Sequence, residues 1–364
     1  MSTTPVNLKV TKVIKNTENA VSIHFEKPAE GFEYESGQFL SLIVNIGSEE
    51  FRRSYSFCSS PFVDEDLSIT VKRVKDGKVS NFLNEYLREG GELTALPPMG
   101  NFKLTPDKFN QRHVVLIAGG SGITPLFSIL KTVLAEEPQS MVSLIDVNSK
   151  PSDVIYRDEI QALVNNNSDR VRLIEHFDDE DIQVERTKKS LLGFKKSKET
   201  VTEKKGLINA EVLQSYFDQL HIDPSDVTEY FMCGPGGMMD VVAALLDKNG
   251  VDKRFVNKEL FVNESENVGT TDDKATRDVV IKMNGNAYKV EVKQQSILQT
   301  ALAQGLDMPF SCQGGICTAC MGKCTSGKVE MEFSDSLTPE QIAEGYVLTC
   351  IGHPKSDDVV IEIE

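Results

Sequence analysis

Cys312, Cys317 and Cys320 stand in the spacing C-x4-C-x2-C, and Cys350 follows after a further 29 residues. Thiolates are soft ligands, and three on one short loop with a fourth from elsewhere can hold two irons and two sulfides. The spacing predicts a [2Fe–2S] cluster on these four cysteines. Gly314, Gly315 and Ala319 are small enough to let backbone N–H groups approach the sulfurs and tune the potential. A structural zinc site is the competing chemistry, but such sites usually pair two C-x2-C knuckles, and this chain has one. Cys324 fits no ligand slot and reads as a small packed residue.

Four further segments stand out. Arg53-Ser54-Tyr55-Ser56 puts a fixed cationic fork beside an aromatic ring and a hydroxyl. Gly77-Lys78-Val79-Ser80 opens a helical segment whose N-terminal N–H groups favour phosphate. Gly119-Gly120-Ser121-Gly122-Ile123-Thr124-Pro125 follows an apolar run and opens another helix, the arrangement that lets backbone approach a pyrophosphate. Cys233-Gly234-Pro235 ends the apolar segment EYFMCG. Each of these is weak alone, since a surface arginine beside a strand aromatic, or a buried structural cysteine, would look the same.

Elements must position these sets. The chain has 364 residues, a length that predicts two or three domains. With 40% apolar and 26% charged residues it is globular. NLKVTKVIKN, AVSIHFEK, QFLSLIVNI, RRSYSFCSS and LSITVKRV predict strands of a small antiparallel barrel, interrupted by a helix over SNFLNEYLREG. From HVVLIAGG onward, strand and helix alternate as far as GMMDVVAALLDKNG, which predicts a doubly wound parallel sheet. Residues 186–205 hold eight basic and two acidic side chains and read as a solvated loop insertion, with a basic docking surface as the alternative. Residues 263–277 read as a linker. DVVIKMNGNAYKVEV then predicts a hairpin turning at Asn284-Gly285, SILQTALAQG a helix, and VVIEIE a closing strand. The expected units are 1–106, 107–262 and 278–364.

The net charge is −16, which makes nucleic acid or an anionic membrane an unsuitable partner. Residues 263–364 alone carry −8. No apolar run is long enough to span a bilayer and no apolar leader is present, so a soluble cytoplasmic protein without membrane insertion is expected. Seven cysteines, five of them in the last 53 residues, argue for metal or redox chemistry rather than a disulfide framework.

Taken together, GQFL at 37–40, the R-S-Y-S strand, Gly77–Ser80 and Pro98-Met99-Gly100-Asn101-Phe102 resemble the flavin domain of the ferredoxin–NADP⁺ reductase family. Cys233-Gly234-Pro235 resembles that family's nucleotide-domain motif. The last 90 residues resemble a plant-type ferredoxin. The resemblance implies a multidomain fold: an antiparallel β-barrel flavin domain, an α/β doubly wound nucleotide domain and an α+β (β-grasp) ferredoxin domain.

It also implies FAD held by Arg53 at the pyrophosphate, Tyr55 stacked on the ring and Ser56 near N5. Further FAD contacts are implied from Val71, Lys72, Gly77, Lys78, Val79, Ser80 and Phe261. NADPH or NADH is implied on Gly119, Gly120, Ser121, Gly122, Thr124, Pro125, Asn148, Ser149, Lys150, Cys233, Gly234 and Pro235. Ser56, Cys233 and Glu259 are implied along the hydride path. Relatives often carry histidine where Asn257 stands, Gly-Asn-Arg where Val147-Asn148-Ser149 stands, and an arginine where Leu207 stands. The choice between NADPH and NADH is therefore open, and Asp146 would repel a 2′-phosphate if it faced the site. Domain order resembles that of reductase components of multicomponent oxygenases, which serve aromatic or steroid degradation. An iron-containing oxygenase is the implied acceptor. A non-oxygenase acceptor (a hybrid-cluster protein or a desaturase) or a redox-sensing module without turnover are the alternatives.

Overall fold

The computed structural model describes residues 4–28, 32–189, 196–222, 227–261, 273, 275–283, 285–306, 308–310, 313–315, 317–331 and 336–363, with backbone alone for 182–189 and 196–204. Cys312, Asn284 and most of the expected linker lie outside the described residues.

The first sheet is antiparallel, built from β1 (Val6–Thr17), β2 (Ala20–Phe25), β3 (Phe39–Ile46), β4 (Glu49–Ser56), β5 (Leu67–Lys72) and β6 (Glu92–Met99) in the order β4-β3-β6-β1-β2-β5. Its β-branched and aromatic residues alternate inward around a core of Ile23, Phe25, Leu40, Leu42, Phe57 and Ile69. The two edge strands approach each other at one end, where Phe57 bridges Ile69 and the Cys58 N–H donates to the Ser68 carbonyl. Among the described residues the ladder goes no further, so the sheet curls into a partly closed barrel rather than a complete one. Helix α1 (Lys78–Tyr86) plugs it with Val79 and Leu83.

The second sheet is parallel: β7 (His113–Gly119), β8 (Met141–Asn148), β9 (Val171–Phe177), β12 (Thr228–Gly234) and β13 (Val256–Leu260) in the order β13-β12-β7-β8-β9. Helices α2 (Ile123–Glu136), α3 (Arg157–Asn166), α4 (Ala210–Gln219) and α5 (Gly236–Lys248) connect the strands. Strand order reverses between β7 and β12, and in such sheets the crevice beyond the carboxyl ends at that point is where ligands bind. Between β9 and α4 the chain forms an antiparallel ribbon, β10 (Asp181–Lys189) and β11 (Lys196–Lys204), paired from Asp181–Lys204 to Lys189–Lys196. The insertion is thus a hairpin and not an irregular loop.

A seam of buried hydroxyls joins the two sheets. Thr132 Oγ1 meets the hydroxyls of Ser36 and Ser60, Ser128 donates to the Ser59 carbonyl, and Tyr156 donates to Thr70. Each polar group that leaves water here finds a partner, which fixes one relative orientation of the sheets.

The third unit has a five-stranded sheet of β14 (Arg277–Met283), β15 (Asn286–Val292), β16 (Met321–Ser326), β18 (Tyr346–Leu348) and β20 (Val359–Ile363), with order β15-β14-β20-β16-β18. Strands β17 (Val329–Met331) and β19 (Gly352–Pro354) pair separately. Helix α6 (Ile297–Ala303), capped by Ser296, and the short α7 (Pro339–Ala343) complete it. Strand β20 runs parallel to β14, and Gly285 takes φ +76° in the expected turn. No described helix is long and apolar enough to cross a membrane.

Candidate functional site

Strand β4 and the β5–α1 connection of the first sheet face the carboxyl ends of the parallel strands, and a cleft of about 340 Å³ lies between them. Arg53, Tyr55, Ser56, Lys72, Gly77, Val79, Ser80, Ser121, Thr124 and Phe261 line it, all of them expected from the sequence. Ser54, Thr70, Arg73 and Val74 also line it and were not expected. Arg73 had a signal: a strand ending in Lys72-Arg73 just before a glycine turn puts two cations where an anion would sit. Two expected residues turn their side chains elsewhere. Val71 is fully buried in the barrel core, because alternation along β5 turns it away from Thr70 and Lys72. Lys78 pairs instead with Glu49 at 2.8 Å and lies over the Phe51 ring.

The deepest group of side chains joins the two sheets. The Ser56 hydroxyl donates to Glu259 Oε2 at 3.1 Å, and both residues are under 5% exposed. Glu259 pairs in register with Cys233 across the β12–β13 ladder. Burial, reinforced by the Glu259 charge, pushes the Cys233 thiol well above its ordinary range, so it stays a neutral S–H. Phe261 follows β13 and packs on the same core as Cys233. Asn257 bonds to Glu229 and the Tyr230 carbonyl, on its neighbouring strand.

The glycine turn is built for close approach. A Cβ on Gly122 would lie 2.1 Å from the Cys233 carbonyl oxygen, one on Gly119 2.6 Å from the Pro235 ring, and one on Gly234 2.9 Å from Gly119 Cα. Gly119–Gly122 and Cys233–Pro235 therefore meet backbone to backbone at the switch point. Gly120 has φ +54°, with the Lys72 ammonium 3.2 Å from where its Cβ would be. No side chain caps the α2 N-terminus at Gly122; Thr124 donates to the Ser121 carbonyl, and Pro125 is buried in the first turn. At the end of β8, Asn148 is buried with both carboxamide atoms lacking a protein partner, and Asp146 Oδ1 lacks one too, while Ser149 and Lys150 are exposed. Leu207 is exposed. Glycine cradle, uncapped helix end and orphaned polar groups together fit a dinucleotide. The cationic cleft with Tyr55 fits a flavin bearing a pyrophosphate.

Asp146 is enclosed rather than displayed. Burial raises its carboxyl from 3.8 to about 7, with Glu175 adding to the shift and Lys72 opposing it. The unfolded chain binds this proton more weakly, so the group costs stability increasingly as pH rises from about 4 to about 7, and by a constant amount above. Asp146→Asn removes that cost. The variant is expected to gain about 3 kcal/mol on the parent between pH 5 and pH 8, read as a growing difference in thermal midpoint. A difference that stays flat with pH would show the carboxyl to be solvated.

In the third unit Cys317, Cys320 and Cys350 are each buried. Thr349 donates both its N–H and its hydroxyl to the Cys320 carbonyl, at 3.2 and 2.9 Å, which brings the Cys350 strand to the Cys317–Cys320 loop. Gln313 and Gly315 take φ +54° and +72°, and Ser336 donates to the Gly315 carbonyl. Among the described residues no three His, Cys, Asp or Glu side chains converge on one ion position. A two-iron cluster asks for two thiolates on each iron, so the three buried sulfurs on adjoining segments suit it. Cys324 donates to the Ser326 carbonyl and stands apart.

The sequence matches three family descriptions: "Oxidoreductase FAD-binding domain" over residues 5–104, "Oxidoreductase NAD-binding domain" over 116–244 and "2Fe-2S iron-sulfur cluster binding domain" over 281–355. The chain belongs to the ferredoxin–NADP⁺ reductase family, in the branch that carries a C-terminal plant-type ferredoxin domain. It is 33% identical to a subunit of the 1,2-phenylacetyl-CoA epoxidase of Escherichia coli (strain K12), over 100% of this chain and 98% of that protein. It is 34% identical to the ferredoxin reductase component of the 3-ketosteroid-9-alpha-monooxygenase of Rhodococcus rhodochrous, over 98% and 96%. In fold it resembles phthalate dioxygenase reductase, with a TM-score of 0.62 at 21% identity, over 99% of this chain and 98% of that one.

Proposed function

We propose that this chain is the reductase component of a multicomponent oxygenase, passing electrons from NAD(P)H through FAD and a [2Fe–2S] cluster to a separate iron-containing oxygenase in the cytoplasm. The observation that carries the reading is the Ser56–Glu259–Cys233 group, buried where the cationic cleft meets the glycine cradle. Bound FAD takes two electrons as a hydride and releases them singly, and a bound cluster carries one at a time. The protein's share is positioning. Arg53, Lys72, Arg73 and the α1 N-terminus would hold the flavin pyrophosphate, and Tyr55 would stack on the ring. Gly119–Pro125 and Asn148–Lys150 hold the dinucleotide. Glu259 holds the Ser56 hydroxyl proton, which would leave the Ser56 oxygen as an acceptor near the flavin N5, and the neutral Cys233 thiol would border the nicotinamide without adding a charge. Cys312, Cys317, Cys320 and Cys350 ligate the irons. Residues 1–106, 107–262 and 278–364 are the three working units.

Steady oxidation of NADH or NADPH with ferricyanide and with cytochrome c tests the reading, and turnover no higher than background with either acceptor would sink it. Half of the net charge lies in residues 263–364, so a basic face on the oxygenase is the complementary partner. Electron delivery to the oxygenase is expected to fall several-fold between about 50 and 300 mM salt; a flat dependence would show docking to be apolar.

A further inference from the structure

Strand β4 carries two consecutive arginines, and alternation sends them to opposite sides. Arg53 lines the cleft; Arg52 does not. The Arg52 guanidinium lies 4.5 Å from the centre of the Phe310 ring in the third unit, and its Nη1 donates to the Phe310 carbonyl at 3.4 Å. Glu50 accepts from its Nε at 3.2 Å and steadies it, and the side chain is 24% exposed. Phe310 is two residues from Cys312 and packs on the core that contains Cys320 and Cys350. A second contact lies nearby: Asn101 donates to the Ser336 carbonyl at 3.2 Å, while the Ser336 hydroxyl donates to Gly315 in the cysteine loop. Both contacts therefore tie the flavin sheet to the loop that bears the thiolates. A cavity of about 600 Å³ opens beside the second contact, lined by Asn101, Phe102 and Lys258 on one side and Leu337, Pro339 and Ile342 on the other.

We infer that Arg52 is a latch: its guanidinium on Phe310 holds the cysteine loop against the flavin sheet and so positions the cluster to receive electrons from the flavin. Arg52 is a positioning residue, acting through Phe310 on the loop that follows it. Because the contact is one guanidinium on one ring with a single hydrogen bond, it can release the ferredoxin unit toward an acceptor, which an extensively packed interface would not do. The inference rests on the electron path proposed above.

The test compares R52M, which keeps length and loses charge, with R52K, which keeps a cation over the ring. Three readings are taken on the full holoprotein, with cluster absorbance confirmed: amide exchange in 308–315, cytochrome c reduction and ferricyanide reduction. R52M is expected to exchange faster at 308–315 and to lose about tenfold in cytochrome c reduction, as for loss of one partly desolvated cation–π contact and its hydrogen bond. Ferricyanide reduction stays within about twofold, and R52K recovers most of both lost readings. Unchanged exchange in R52M overturns the latch as a structural contact. Faster exchange with full cytochrome c reduction overturns its role in positioning. Absence of ferricyanide reduction in the unsubstituted protein would strike the proposed function instead, and exchange at 308–315 would still read the latch.

Discussion

Cys317→Ser is expected to abolish NAD(P)H-driven cytochrome c reduction while leaving ferricyanide reduction within about twofold of the parent. Cys317 is 3% exposed in the ferredoxin unit, on a segment that reaches neither the cationic cleft nor the glycine cradle. A serine hydroxyl is nearly isosteric but far less acidic than a thiol, and its oxygen is harder than sulfur, so it is a poor ligand for iron. The packing around it need not change. Ferricyanide, a small one-electron oxidant, takes electrons at the flavin, whereas cytochrome c needs the cluster. Iron content and cluster absorbance should fall together with the cytochrome c activity. Loss of both activities with FAD still bound would mean that the cluster is not downstream of the flavin and that the linear order is wrong.

The parts of the fold that could be read from the chain are those where one residue type has one strong reason to be present. HVVLIAGG is continuous and apolar because β7 is the central strand of a sheet covered on both faces, and it ends in glycine because the Cys233 backbone lies against the turn. C-x4-C-x2-C was legible because no other common chemistry uses that spacing. Strand β13 was harder. VNKEL is short and polar, it sits at the sheet edge, and only Glu259 on it is buried. Nothing in its composition says strand, and Glu259 came from resemblance alone. Strand β6 carries Pro97-Pro98 just before its last residue, which would normally demote a strand, but both prolines fall where its pairing with β3 shifts register. The β10–β11 ribbon carries mostly charge, and charge runs give no period to read. Val71 and Lys78 show what a motif leaves open about a side chain. A motif places a residue on an element, and the pleat or the nearest counter-ion then decides which way its side chain turns.

Gly122→Ala should be the most damaging single methyl in the nucleotide site. Gly122 has φ −61°, which any residue can adopt, so the backbone itself carries no demand for glycine. The demand is for space. The added Cβ would lie 2.1 Å from the Cys233 oxygen, 2.4 Å from its carbonyl carbon and 2.9 Å from the Gly234 nitrogen. All three are backbone atoms of β12, held in register with β7 and β13, so none can rotate away. The start of α2 must lift from the sheet, and Thr124 and Ser121 move with it out of the cleft lining. Overpacking of this kind costs about 3 kcal/mol. A shift of about 1 Å in a positioned hydride donor costs about a hundredfold in rate. We therefore expect G122A to lower the thermal midpoint and to reduce ferricyanide turnover by about that factor, with a raised KM for the nucleotide. Gly120→Ala is the informative control. Its strain is conformational, at φ +54°, and its nearest neighbour is the flexible Lys72 ammonium, so the cost should be about 1 kcal/mol with most turnover kept. If G122A matched G120A in both readings, the glycine turn and Cys233–Pro235 would not be in backbone contact in solution, and the cradle would have to be formed elsewhere.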